Sequence, residues 1–142
     1  MNNRLYTGGT FDMFHFGHVR FLKMCAQLGD VTVALNTDAF VERYKGKKPV
    51  MSYDERKEVL EACKYVSKVV PNEAGEDSTV SITRVHPSII AIGSDWAQKD
   101  YYKQMGFTQK WLDDSGITLV YLPYTDDISS TDLRQRLREY ES

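Results

Sequence analysis

Two short runs, Val31-Thr32-Val33-Ala34-Leu35 and Ile89-Ile90-Ala91-Ile92-Gly93, restrict the fold more than any other feature of the chain. Nearly every residue in them is apolar or β-branched, so neither face of either strand suits water. Strands buried on both faces belong to parallel sheets with helices packed on both sides. The sequence between the runs supplies those helices. Val19, Phe21, Leu22, Cys25 and Leu28 share one helical face and predict a helix over 18–28, with Gly29 as its stop. Thr37-Asp38 can cap a short helix through Val41. Ser52-Tyr53-Asp54-Glu55 has the spacing of a capping box and opens a helix to about Lys64. A brief helix over 80–85, a polar and partly helical insertion over 99–115, and a last helix from Ser129-Ser130 through Glu139 complete the set. Further strands are expected at 4–7, 68–71 and 117–122. The alternation predicts one α/β domain over 1–142, a parallel sheet with helices on both faces.

Composition excludes several roles. A formal net charge of −2 over 142 residues offers no general attraction to nucleic acid or to an anionic membrane. No apolar run approaches the roughly 18 residues that span a bilayer. Met1-Asn2-Asn3-Arg4 leads directly into a strand without a signal-like apolar region, so a cytoplasmic location is expected. Cys25 and Cys63 have no paired spacing and read as reduced, mostly buried thiols.

Chemistry concentrates in loops that follow strands, where open α/β sheets bind ligands. The loop after the first strand holds Gly8-Gly9-Thr10-Phe11-Asp12 and then His15 and His18 at a helix start. Histidines at i and i+3 share a face. The glycines allow backbone N–H groups close to an anion, and the helix start adds partial positive charge. Imidazole N–H groups there can stabilise charge on an α-phosphate and on leaving pyrophosphate without a covalent step. Asp12 could anchor a histidine, bind a metal-associated water or cap the turn. No third residue of recognisable spacing joins the histidines as a zinc ligand, and His86 reads as structural or surface. Lys45, Lys47 and Lys48 flank Gly46 in a loop that is either solvated surface or a cover for a triphosphate. Arg56 stands in the first turn of a helix, where the dipole disfavours it and a nearby anion would suit it. Ile128-Ser129-Ser130-Thr131 offers a second anion site at a helix start, and Asp95-Trp96 could bind a base or ribose or simply pack.

Gly9-Thr10-Phe11-Asp12, His15-Phe16-Gly17-His18 and Ile128-Ser129-Ser130-Thr131, in that order, resemble the HxGH cytidylyltransferases of the nucleotidyltransferase superfamily. Within it the chain looks most similar to the bacterial glycerol-3-phosphate cytidylyltransferases. Asn36-Thr37-Asp38, the stretch Ser52 to Lys57 and Gly93-Ser94-Asp95-Trp96 extend the likeness over nearly the whole chain. The resemblance implies a Rossmann-like fold and a homodimer serving cell-envelope precursor synthesis. It also implies a Mg²⁺-dependent reaction that passes CMP from CTP to a phosphorylated small alcohol such as glycerol 3-phosphate, giving a CDP-alcohol and pyrophosphate. His15, His18 and Lys47 would be catalytic. Gly9, Thr10, Phe11, Asp12, Phe16, Gly17, Asp95 and Trp96 would line the nucleotide site with the histidines. Tyr124, Thr125, Asp126, Asp127, Ile128, Ser129, Ser130 and Thr131 would hold its phosphates with Lys47, and Lys45 and Arg56 would meet the acceptor.

The chain departs from those enzymes at Tyr124, where they carry arginine, at Asp127, where they carry glycine, and at Lys64, where they carry arginine. Its 75–79 loop lacks a lysine expected near the acceptor, and its 99–109 insertion is longer. Another polyol phosphate, a phosphoaminoalcohol or a sugar phosphate is therefore an alternative acceptor. ATP in place of CTP, as in the adenylyltransferases of the superfamily, is a second alternative. A nucleotide-binding regulatory subunit without turnover is a third, against which intact His15, His18 and Lys47 argue.

Overall fold

In the computed structural model, residues 3–73, 78–93, 106–123 and 130–141 are described. Five strands form one sheet: β1 (Arg4–Gly9), β2 (Asp30–Asn36), β3 (Lys68–Asn72), β4 (Ile89–Gly93) and β5 (Thr118–Leu122), in the order β3-β2-β1-β4-β5. Every pairing is parallel. The helices are α1 (Phe16–Leu28), α2 (Asp38–Lys45), α3 (Tyr53–Glu61), α4 (Thr79–Val85), α5 (Gln109–Ser115) and α6 (Ser130–Glu141). This is the Rossmann-like α/β arrangement, with helices on both faces of the sheet.

The two-residue period of the strands divides the core in two. On one face Leu5, Val31, Val33 and Leu35 pack with Phe21, Leu22 and Cys25 of α1 and Leu60 of α3. On the other, Tyr6, Ala34, Ile90 and Ile92 pack with Ile82 and Val85 of α4 and Leu112 of α5. Burial pushes the Cys25 thiol up to about 12, which makes it an inert core side chain.

Several element ends differ from the expectation for local reasons. Helix α1 starts at Phe16 because His15, not a residue near His18, is its N-cap. Helix α2 continues past Val41 to Lys45, and Gly46 ends it in a left-handed conformation at φ 77°. Helix α3 stops at Glu61, short of Lys64. Gly29 does end α1, but at φ 171° it is extended backbone. A Cβ there would run into the Asn3 carbonyl, whose oxygen accepts from the Asp30 N–H, so close approach is what calls for glycine. Of the insertion over 99–115, the described part contains α5, capped by Thr108 and ended by left-handed Gly116.

Strand order fixes where a site can form. The chain moves from β1 outward to β2 and β3, then crosses to β4 on the other side of β1. The carboxyl ends of β1 and β4 therefore flank the switch point, where a crevice opens. Arg56 secures this end of the sheet from below. Its side chain is fully buried. Nη1 donates to the carbonyls of Thr10 (2.9 Å) and Asn36 (2.8 Å), Nε to Met51 O (3.0 Å) and Nη2 to Asp38 Oδ1 (2.7 Å). One guanidinium thus ties the ends of β1 and β2 to the starts of α2 and α3.

Asp38 is 37% exposed, so the loss of Arg56 falls chiefly on the carbonyls of Thr10, Asn36 and Met51, and leaving these acceptors without their donors costs about 3–5 kcal/mol in all. Arg56→Ala should therefore lower the unfolding free energy by about that amount. Arg56→Lys should recover only a small part of the loss, because an ammonium cannot span these four acceptors. Urea denaturation followed by circular dichroism decides it, and a loss under about 1 kcal/mol would remove this residue from the centre of the fold.

Candidate active site

The segment after β1 leaves ordinary backbone space twice. Phe11 has φ 52° and Met13 φ 50°, both left-handed and neither glycine. Such conformations cost on the order of 1–3 kcal/mol each and persist where the surroundings impose them. Here the surroundings are explicit. The Thr10 carbonyl is held by Arg56, and both Asp12 oxygens accept backbone N–H groups, Val50 to Oδ2 at 2.7 Å and Met51 to Oδ1 at 2.9 Å. Arg134 of α6 lies 3.5 Å from Asp12 Oδ2. Gly9 is needed because a Cβ would meet the Phe11 ring at 2.8 Å. To the three roles open to Asp12 the geometry adds a fourth, an anchor for the 50–51 backbone.

That tight turn presents the two histidines. His15 Nδ1 accepts from the Gly17 N–H (3.1 Å), and His18 Nδ1 accepts from the His15 N–H (3.1 Å). The pair forms a capping box made of imidazoles, with the i, i+3 spacing that Ser52 and Glu55 use at the start of α3. The hydrogen-bond network thereby assigns the tautomer: Nδ1 is the acceptor, so Nε2 carries the proton in each ring. The rings stack with centroids 3.8 Å apart and planes 23° apart. Phe11 and Phe14 lie against His18 at 5.3 and 5.4 Å.

Burial lowers both imidazoles below their ordinary range. His18 is pushed down to about 3, first by burial and then by the neighbouring His15, with Asp12 opposing. Both rings are uncharged near neutrality, and each offers one Nε2–H. That of His15 is buried without a hydrogen-bond partner. An unsatisfied buried donor at a helix start, beside a strained turn at the switch point, is the geometry of an oxyanion-binding corner.

A ladder of amides and hydroxyls crosses the ends of three strands beside it. Asn72 Nδ2 donates to Asn36 Oδ1 (2.9 Å), Asn36 Nδ2 donates to Thr10 Oγ1 (3.0 Å), and Thr10 Oγ1 lies 3.1 Å from the Tyr44 hydroxyl. Asn72, one residue beyond the strand expected at 68–71, is the last residue of β3 and is buried.

The expected site residues divide into four groups. Gly9, Thr10, Phe11, Asp12, His15, Gly17 and His18 converge in this corner, with Phe16 half-exposed at the first turn and Arg20 stacked on its ring. Lys45 ends α2 and Lys47 follows in the exposed turn beyond Gly46. Arg56 is corrected: with a fully buried side chain it lies beneath the site, and the anion that suits it is the protein's own Asp38. Asp95, Trp96, Tyr124, Thr125, Asp126, Asp127, Ile128 and Ser129 fall outside the described residues, and Ser130 and Thr131 open α6. Sequence reasoning missed Asn72, Tyr44 and Arg134 as parts of the site, since no local pattern marks an amide ladder or an ion pair between distant segments.

Residues 6–136 match the cytidylyltransferase-like family. The chain belongs to that family. Membership makes it a nucleotidyltransferase. It is 35% identical to the glycerol-3-phosphate cytidylyltransferase of Bacillus subtilis (strain 168) over 136 residues, covering 94% of this chain and 96% of that one. It is 43% identical to the FAD synthase of Pyrococcus abyssi over 93 residues, 65% of this chain and 63% of that one. The crystal structure of the lipopolysaccharide core biosynthesis protein from Thermoplasma volcanium superposes with a TM-score of 0.70 at 26% identity, covering 89% of this chain and all of that one. No helix among the described residues is long and apolar enough to cross a membrane.

The depressed His18 has a measurable consequence. Folded, it protonates at about 3, whereas in an unfolded chain it protonates near 6.5. Between those values the unfolded state binds a proton that the folded state refuses, so stability falls as the pH drops through that window and is unaffected by this group above it. His18→Asn keeps a side-chain acceptor and removes the titration. The melting temperature of the parent protein should fall more steeply from pH 6.5 to pH 4 than that of the variant. Parallel curves would show that His18 titrates normally in the fold.

Proposed function

We propose that the protein transfers CMP from CTP to a phosphorylated small alcohol, with glycerol 3-phosphate as the leading acceptor, giving a CDP-alcohol and pyrophosphate. The observation that carries this reading is the pair of uncharged, stacked imidazoles whose Nε2–H groups stand at the switch point, one of them buried and unpaired. The Bacillus subtilis relative, aligned over nearly the full length of both chains, supports the choice of nucleotide and acceptor.

The chemistry follows from charge. An oxygen of the acceptor's phosphate attacks the α-phosphorus of CTP, a new P–O bond forms, and the bond to pyrophosphate breaks. A phosphate monoester is already largely ionised at pH 7, so no strong general base is needed. Charge grows instead on the α-phosphate oxygens and on the departing pyrophosphate. His15 and His18 donate to those oxygens through Nε2–H, at positions fixed before the ligand arrives. Lys45 and Lys47 offset the repulsion between the two anions, and the start of α6 at Ser130 and Thr131 faces the triphosphate in this reading, with Tyr124 to Ser129 leading into it.

Mg²⁺ enters this reading with the triphosphate. Both Asp12 oxygens are occupied by backbone donors, and the described residues contain no group of three His, Cys, Asp or Glu side chains able to hold a metal. Mg²⁺ often keeps several waters and binds through substrate phosphates, and its charge would add to that of the lysines. A cytoplasmic homodimer supplying cell-envelope precursors is the setting we propose, on the resemblance of the sequence motifs alone.

The higher local identity to an FAD synthase favours a second reading in which the same corner handles ATP and a different acceptor. Pyrophosphate release measured with each nucleoside triphosphate, Mg²⁺ and a panel of phosphorylated alcohols separates the two. Release with CTP and glycerol 3-phosphate is the expected result, and release with ATP alone would replace the cytidylyl assignment. Loss of an oxyanion-site donor costs about 100- to 1,000-fold in kcat. His18→Ala should lose at least that much while remaining folded, and near-normal turnover would end the role given to this ring.

A further inference from the structure

The segment Lys45-Gly46-Lys47-Lys48-Pro49 is pinned at both ends to one short stretch, Thr10 to Asp12. At its far end the Val50 and Met51 N–H groups donate to Asp12. At its near end the Tyr44 hydroxyl lies 3.1 Å from Thr10 Oγ1. Between these points the chain reverses through left-handed Gly46 and carries three exposed lysines. Among the described residues no ion pair reaches Lys45, Lys47 or Lys48.

The two clasps differ in kind. The Asp12 clasp is charged and largely shielded, whereas the Tyr44 clasp is a single hydrogen bond on a side chain 49% exposed. Packing does not explain that side chain. Its ring meets Phe40 edge-on at 5.2 Å and lies under Lys45 Nζ at 5.6 Å, contacts that a phenylalanine would also make. Only the hydroxyl reaches Thr10. Thr10 in turn is hydrogen-bonded on two sides, its carbonyl held by Arg56 and its Oγ1 by Asn36, which is itself held by Asn72. The amide ladder across the strand ends therefore terminates on the residue just before the first lysine.

We propose that Tyr44 is a positioning residue for the lysine arch: through Thr10 it fixes the near end of the 45–49 segment over the histidine corner, so that Lys45 and Lys47 stand ready for phosphate. The proposal rests on the reading of that corner as a nucleoside-triphosphate site. The hydroxyl bond is the weakest of the ties and sits at the exposed end, so the arch opens there first. An arch free at that end keeps its lysines but spreads them over more orientations, and productive geometry becomes a smaller fraction of the ensemble.

The test uses Tyr44→Phe in two measurements. In the ligand-free protein, trypsin should cut after Lys45 or Lys47 about fivefold faster in the variant, as expected for one lost hydrogen bond in a local opening. The melting temperature should stay the same. In the pyrophosphate-release assay, kcat/KM for CTP should fall about fivefold in the Lys47 parent and hardly at all in a Lys47→Ala background, because residues acting through one another are not additive. Equal digestion rates, or a Tyr44→Phe loss of the same size in both backgrounds, would overturn the proposal. Faster digestion in a protein that releases no pyrophosphate from CTP would instead support the clasp and sink the cytidylyl reading.

Discussion

The buried guanidinium of Arg56 is the interaction on which the rest of the site depends. A parallel sheet ends in carbonyl groups that need donors, and the ends of β1 and β2 supply two of them at the mouth of the crevice. Arg56 satisfies both with one side chain and uses the remaining donors on Met51 and Asp38. The Thr10 carbonyl is thereby fixed, and Thr10 begins the turn that carries Phe11 and Met13 through left-handed backbone to the histidines. Strain in that turn is held from two directions, by Arg56 beneath and by Asp12 clasping the 50–51 backbone. A site built on an irregular loop gains in this way the rigidity of the sheet below it.

Charge and neutrality are divided between two parts of this structure. The rings at the centre are buried, stacked and uncharged, and they donate through fixed N–H bonds. The lysines are exposed and charged, and in the proposed reading they attract an anion from a distance. A cationic imidazole pair at 3.8 Å would repel itself, so neutrality is what allows two donors to stand side by side. The net charge of −2 leaves the attraction of an anion to local groups, and the 45–49 arch is where they gather.

Much of the fold was legible in the sequence because the signals were local and periodic. The strands Val31–Leu35 and Ile89–Gly93 announced a doubly covered parallel sheet, and Ser52 with Glu55 announced the start of α3. The histidine corner was legible as a motif, though its helix begins two residues before His18 because the imidazoles themselves cap it. Arg56 was misread for a physical reason. Its position in a helical first turn does call for an anion, but sequence cannot tell a ligand's phosphate from the carboxylate of Asp38, 18 residues earlier in the chain. Asn36, Asn72 and Tyr44 meet only when β1, β2, β3 and α2 are assembled, and no spacing in one dimension encodes that meeting.

The imidazole capping box has one further consequence. Each ring accepts a helix-start N–H at one nitrogen and offers a proton from the other, across a conjugated system. In the proposed reading a phosphate oxygen draws on the Nε2 proton, which would shift electron density toward Nδ1 and strengthen its hold on the backbone N–H. On that reading ligand occupancy and the order of the first turn of α1 would be coupled in both directions. The first turn of that helix would then be less a passive support than the other end of the ligand's own hydrogen bonds.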